Sequence, residues 1–190
     1  LKQILRGLRE ALVPLIAELG EAKDQPVDDF LRQTYPVERQ EQFGTYVATR
    51  LGFDFSRGRL DITDHPFCTE IGPHDHRILT RYNPKDFSQA LYGILHEAGH
   101  GIYDQGLRPD QYGLPSGAPI SLGIHESQSR LWENMVGRSL AFWEFFHPVA
   151  QEHFPDQLGQ YSPKQMYDGV NVVRPSLIRV EADEATYNLH

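Results

Sequence analysis

The chain's 190 residues are enough for one domain with a real core, and 39% hydrophobic, 11% aromatic and 23% charged residues exclude a disordered or collagen-like polymer. A formal net charge of −8 with no lysine or arginine run argues against a nucleic-acid partner. The longest apolar stretches are broken by Glu, Arg or Pro, so no membrane span is expected, and Cys68 as the one cysteine excludes an internal disulfide and suits a reducing, cytoplasmic setting.

The chain opens on Leu1-Lys2-Gln3-Ile4-Leu5-Arg6, directly in helical periodicity and without an initiator Met or a signal-peptide pattern, as a piece of a longer chain does. Ile4, Leu5, Leu8, Leu12, Leu15, Ile16 and Leu19 recur at helical spacing up to Gly20, which predicts an amphipathic helix bent or shortened by Pro14. Further helices are expected over 28–34 and from Val37 to Leu51, closed by Gly52. Residues 1–52 thus read as scaffold helices.

Between Phe53 and Tyr82, short alternations broken by Gly58, Pro66, Gly72 and Pro73 predict two or three short antiparallel strands. Leu60–Thr63 is one. Arg77–Tyr82 is another, and its arginine-flanked polar alternation suits a sheet edge, to which a peptide substrate can add as a further strand. Asn83-Pro84-Lys85-Asp86 reads as a helix start, with Asn83 as the cap, and the helix continues to about Gln105 before Gly106. A Gly- and Pro-rich loop follows to Gly123, then a long helix from Ile124 to about Phe146, ahead of Pro148 and Pro155. A final helix starts near Pro163 and breaks near Pro175. The expected fold is mainly α with a small antiparallel β-sheet in a single region, with 1–52 as scaffold, 53–82 as the β part and 83–190 as the metal- and substrate-binding helices.

His96-Glu97-Ala98-Gly99-His100 lies in the middle of the 83–105 helix. Residues four apart share one helix face, so both imidazoles can reach one metal, and Glu97 stands beside that metal as a base for its water. The alternative is a helix whose histidines are ordinary polar residues. Here Leu91, Ile94, Leu95 and Ile102 bound the motif, and two His with a Glu would bury polar surface to no purpose unless a metal is held. A catalytic zinc takes three protein ligands and a water, and His125-Glu126 opens the next helix. Glu126 is the expected third ligand, giving a His₂Glu site; His125 is the competing ligand, or otherwise donates to the oxyanion or the substrate. In such a site Glu97 takes the proton of a metal-activated water and returns it to the leaving amine after attack on the scissile carbonyl. Asp104 can orient an imidazole, although a solvated last-turn acid is the more ordinary reading. Cys68 reads as a buried, inert thiol.

The set His65-Pro66-Phe67, Asp75-x-Arg77, His96-Glu97-x-x-His100, His125-Glu126-Ser127-Gln128 and Ile178-Arg179-x-x-Ala182-Asp183 resembles the thermostable metallocarboxypeptidases of the carboxypeptidase Taq family. What the resemblance implies is a zincin-like, mostly helical core that removes single residues from peptide C-termini with broad specificity. It also implies a zinc- or cobalt-dependent homodimer with its site in a deep groove. Carried over, Glu97 is the base and His96, His100 and Glu126 are the ligands. Arg179 grips the substrate's terminal carboxylate, with His65 and Arg77 beside the substrate. A guanidinium pairs bidentately with a carboxylate, which distinguishes a free C-terminus from an internal amide.

Without the resemblance, Arg179 reads as a surface or structural ion pair and His65 as a turn residue before Pro66. Leu79 departs from the family's Asp-x-Arg-x-Thr pattern, with Thr80 one place later. Family members are longer at both ends, so a substrate-side tyrosine and groove-walling helices are expected outside this stretch. A zinc endopeptidase or oligopeptidase, a metal-binding but catalytically silent fragment, and a metal-free acidic scaffold are the other readings.

Overall fold

Asp86 starts the helix that carries His96, Glu97 and His100. A computed structural model describes residues 2–172, and Arg179 lies outside the described residues. Asn83, the expected cap, is spent on a turn: its side-chain oxygen accepts the Lys85 N–H at 2.9 Å and its carbonyl that of Asp86 at 3.2 Å. Asp86 itself is extended, and its carboxylate accepts the free Ser88 and Gln89 N–H groups at 2.9 and 3.2 Å. That satisfies two of the donors every helix start leaves open, so the helix begins at Phe87.

In chain order the elements are α1 (Lys2–Glu21), α2 (Val37–Leu51), β1 (Gly58–Ile62), β2 (Phe67–Gly72), β3 (Asp75–Thr80) and α3 (Phe87–Gln105). They continue with α4 (Leu122–Arg130), a π-helical stretch (Leu131–Val136), α5 (Leu140–His153), α6 (Pro155–Leu158) and α7 (Pro163–Val170). The chain divides into two units, one of Leu1–Pro26 with Asn171–His190 and one of Val27–Val170. In the first, α1 runs unbroken through Pro14. The second holds the sheet and the other helices. No helix among the described residues is long and apolar enough to cross a membrane.

The sheet is mixed rather than antiparallel. Its order is β1-β3-β2: β2 and β3 form an antiparallel pair, but β1 lies parallel to β3, with Leu60 opposite Ile78. Residues 77–80, expected at an edge, therefore belong to the central strand, with His76, Ile78 and Thr80 buried on one face. Three further expectations need correction. Residues 28–34 hold only a 3₁₀ turn, Asp29–Arg32. The long helix after Gly123 breaks at Gly137-Arg138-Ser139, where the Gly137 carbonyl accepts the Tyr92 hydroxyl at 3.1 Å and Ser139 Oγ caps α5 by accepting the Phe142 N–H at 3.1 Å. Finally, α5 continues through Pro148 instead of ending before it.

α3 is buried on two faces and keeps a third stripe for polar residues. Leu91, Tyr92 and Leu95 join a cluster with Phe30, Tyr35, Phe43, Trp143, Phe146 and Phe154, whereas Ile94 and Ala98 pack with Ala48, Phe53 and Ile78 against the sheet. Each fully buried Phe contributes about 1.5–3 kcal/mol relative to exposure. Phe53 sets how near α3 lies to the sheet, because a Cβ at Gly58 of β1 or at Gly101 of α3 would stand 2.5 Å from its ring. The Gln105 side chain closes the far end: it accepts the Asp54 N–H at 2.8 Å and donates to the Asp54 carbonyl at 3.0 Å. His96, His100 and Asp104, one turn apart, form the remaining stripe toward α4.

Candidate metal centre

α4 reaches this stripe because position 99 has no side chain. A Cβ on Gly99 would lie 2.6 Å from both the Gln128 carbonyl oxygen and the Ser129 Cα, so only glycine admits so close a crossing. Ser121 opens α4, its hydroxyl accepting the Ile124 N–H at 3.1 Å, and the helix then carries Glu126 over the two histidines. Glu126 Oε2 is 3.5 Å from His96 Nε2 and 3.3 Å from His100 Nε2. One donor atom from each of the three residues lies within 4.8 Å of the others, the one such group among the described residues. A tetrahedral ion with arms of about 2.0–2.1 Å has donor-to-donor edges of roughly 3.3–3.4 Å, so these two distances fit a common ion. Two imidazoles and a carboxylate are also the donor types that zinc and cobalt accept.

The surrounding groups fix these donors. Arg130 Nε donates to Glu126 Oε1 at 2.9 Å, and Ser129 Oγ, which donates to the Glu126 carbonyl at 2.7 Å, also lies 3.1 Å from Oε2. Together they hold the carboxylate with Oε2 toward the histidines. Glu133, on the π-helical stretch, accepts from His96 Nδ1 at 2.7 Å, and Arg130 Nη1 lies 3.7 Å from the same oxygen. His125 packs between His100 and Asp104, its Nδ1 2.5 Å from His100 Nδ1 and its Nε2 2.8 Å from Asp104 Oδ1.

The electrostatics follow from this crowding. In the metal-free protein, hydrogen bonds from His100 and His96 hold Glu126 well below the usual carboxylate range, against its burial and with help from Arg130. Burial lowers the His96 pKa, but Glu126 and Glu133 outweigh it and bring the group to about 9. Glu97 is only 7% exposed, and burial pushes it up to about 7; His96 opposes that rise, and Glu126 and Glu133 add to it. A carboxylate poised near neutrality can both accept and return a proton, as a general base requires.

His96, Glu97, His100, His125 and Glu126 thus come together from two helices. Arg77 lies on β3, its guanidinium doubly bonded to Asp75 at 2.9 and 2.8 Å. His65 is exposed in the turn between β1 and β2. Asp104 is no solvated last-turn acid: it is 7% exposed and paired with His125. Burial raises the pKa of the half-buried Cys68 thiol, and the carboxylates of Asp104, Glu97 and Glu70 act in the same direction, as an inert thiol requires. Sequence reasoning missed Arg130, Ser129 and Glu133, although Arg130 follows Glu126 at the four-residue spacing of one helix face.

The whole chain, residues 1–190, matches the family described as Carboxypeptidase Taq (M32) metallopeptidase. It is 50% identical to Thermostable carboxypeptidase 1 of Thermus thermophilus and 40% identical to Carboxypeptidase 1 of Bacillus subtilis, with all of this chain aligned in both cases. It covers 36% and 38% of those two proteins, so the chain spans little more than a third of their length. Among solved structures, the M32 carboxypeptidase of Deinococcus radiodurans superposes with a TM-score of 0.90 at 49% identity, covering 98% of this chain and 37% of that one. The Pyrococcus furiosus carboxypeptidase superposes with a TM-score of 0.85 at 38% identity, covering 97% of this chain and 38% of that one.

Proposed function

Since this chain belongs to the carboxypeptidase Taq (M32) metallopeptidase family, we propose that it forms the catalytic centre of a metal-dependent carboxypeptidase that trims peptides at their free C-terminus with broad specificity. The observation that carries this reading is Glu126 Oε2 standing 3.5 and 3.3 Å from the Nε2 atoms of His96 and His100, with the buried Glu97 next in sequence to His96. His96, His100 and Glu126 hold the divalent cation, zinc or alternatively cobalt, which acts when bound as a Lewis acid on water and on the scissile carbonyl.

The chain's own residues do the rest. Glu97 takes the proton of the attacking water and delivers it to the departing amine. Burial makes Glu97 of the metal-free chain a stronger base than an exposed glutamate. Arg130 and Ser129 keep Glu126 from turning away from the histidines. Arg179 pairs with the terminal carboxylate of the substrate, while His65 and Arg77 flank the peptide. The substrates are peptides rather than nucleic acids, and a cytoplasmic homodimer completes the reading.

The test is release of free amino acid from an N-blocked dipeptide, before and after chelation and with Zn²⁺ or Co²⁺ restored. Metal-dependent release that falls roughly 10²–10⁴-fold in Glu97→Gln is the expected result. Cleavage of the amidated peptide as fast as of the free acid would instead assign an endopeptidase. One bound metal without turnover in either the chain or the Glu97→Gln variant would assign a silent metal-binding fragment.

A further inference from the structure

Both ring nitrogens of His125 are engaged, and the order of their partners fixes where the protons sit. On the metal-site reading above, His100 turns Nε2 toward the cation, so its own proton is on Nδ1. That N–H faces His125 Nδ1 at 2.5 Å, which must then be the bare, accepting nitrogen. His125 consequently carries its proton on Nε2 and donates it to Asp104 Oδ1 at 2.8 Å. Asp104 is 7% exposed, and an anion so buried needs a partner. α3 supplies both ends of this chain, His100 and Asp104, one helical turn apart, and α4 inserts the middle.

We propose that His125 and Asp104 are positioning residues that form a relay to His100, fixing its tautomer and ring plane. The two metal-facing imidazoles are then held differently. His96 meets the Glu133 carboxylate directly at 2.7 Å, whereas His100 meets its anion through a neutral imidazole. The relay gives His125 a place on the metal side of the site instead of a contact with substrate. The edge of the Tyr103 ring, 5.2 Å away and nearly perpendicular, helps hold the His125 plane.

This inference rests on the metal reading, and a Co²⁺ titration against a competing chelator separates the two. Asp104→Asn and His125→Phe are expected to weaken Co²⁺ binding by the folded chain roughly 10–100-fold, more than any drop in metal-free stability accounts for. His125→Gln, whose amide can accept from His100 and donate to Asp104, is expected to recover most of the loss. Ring nitrogen NMR of the Zn²⁺-loaded chain should find His125 protonated on Nε2 and bare on Nδ1. The relay is overturned if wild-type binding depends on Glu126 but Asp104→Asn and His125→Phe bind as tightly, or if His125 carries its proton on Nδ1. Unfolding of the metal-free variants in step with their loss of affinity would likewise replace positioning by plain structural support. A wild-type chain that takes up no Co²⁺ overturns the relay and the metal reading together.

Discussion

Gly99 on α3 and Gln128 on α4 approach so closely that a Cβ on the first would stand 2.6 Å from the carbonyl oxygen of the second. Backbone, not a flexible side chain, is the obstacle, so an alanine there must push the helices apart. Glu126 rides on the displaced helix. Gly99→Ala is expected to cost about 1–3 kcal/mol of stability and to lower Co²⁺ affinity by more than stability alone explains. Titration of the folded variant at a temperature well below its transition checks this, and unchanged affinity would mean that the crossing does not set the site.

Glu133 and His96 form the shortest carboxylate–imidazole contact of the site, at 2.7 Å. Glu133→Gln keeps the size and one accepting oxygen but removes the charge that favours a firmly oriented imidazole. Metal affinity is expected to fall roughly 10-fold, with the circular dichroism spectrum unchanged. An undiminished affinity would show that His96 is oriented by packing alone.

The candidate site was legible in the sequence to the extent that helical geometry fixes it. His96, Glu97 and His100 need only the periodicity of one helix, and Glu126 follows from the demand for a third donor at the start of the next. Glu133 was not legible. Glu133 lies on the π-helical stretch that begins at Leu131, where the wider turn departs from ordinary helical spacing, and it meets His96 at 2.7 Å. No side-chain pattern announces that extra residue in the turn. Asp104 was misread for a different reason, since its burial depends on His125 arriving from the next helix.

The fold shows the same division. Short alternating segments revealed a β region but not the direction of its pairings. β2 and β3 are joined by a tight turn at Pro73-His74 and are antiparallel by proximity, whereas β1 reaches the other side of β3 and pairs in parallel. That choice is made by packing, with Ile78 buried in the cluster of Phe53 and Ile94. Alternation within a strand carries no information about it.

Gln105 ties the end of α3 to the chain entering the sheet through two hydrogen bonds to the Asp54 backbone, at 2.8 and 3.0 Å. Gln105→Ala leaves two backbone groups without these partners and is expected to cost about 1–3 kcal/mol. Because the Gln105 side chain is bonded to the Asp54 backbone and not to His96, His100 or Asp104, Co²⁺ affinity of the folded variant should stay within roughly 2-fold of wild type. Denaturant unfolding and the same titration test both halves; a large loss of affinity without loss of stability would contradict this separation.

The pH dependence of the metal-free chain should report on Glu97. Its pKa in the folded protein is about 7, above the ordinary value of 4.5, with burial as the main cause. A group raised in this way contributes stability that is fully present below 4.5 and is lost as pH rises through 7, because the folded state binds the proton more tightly than the unfolded state does. Glu97→Gln cannot ionise and escapes that loss. In a chelator, the variant should therefore gain on wild type between those two values, by on the order of 3 kcal/mol in full, and hold a constant lead at higher pH. Denaturant unfolding of both proteins at pH steps of about one unit across this window measures the difference directly. A lead independent of pH would mean that Glu97 is already ionised under mildly acidic conditions, and its burial would then not be what tunes it as a base.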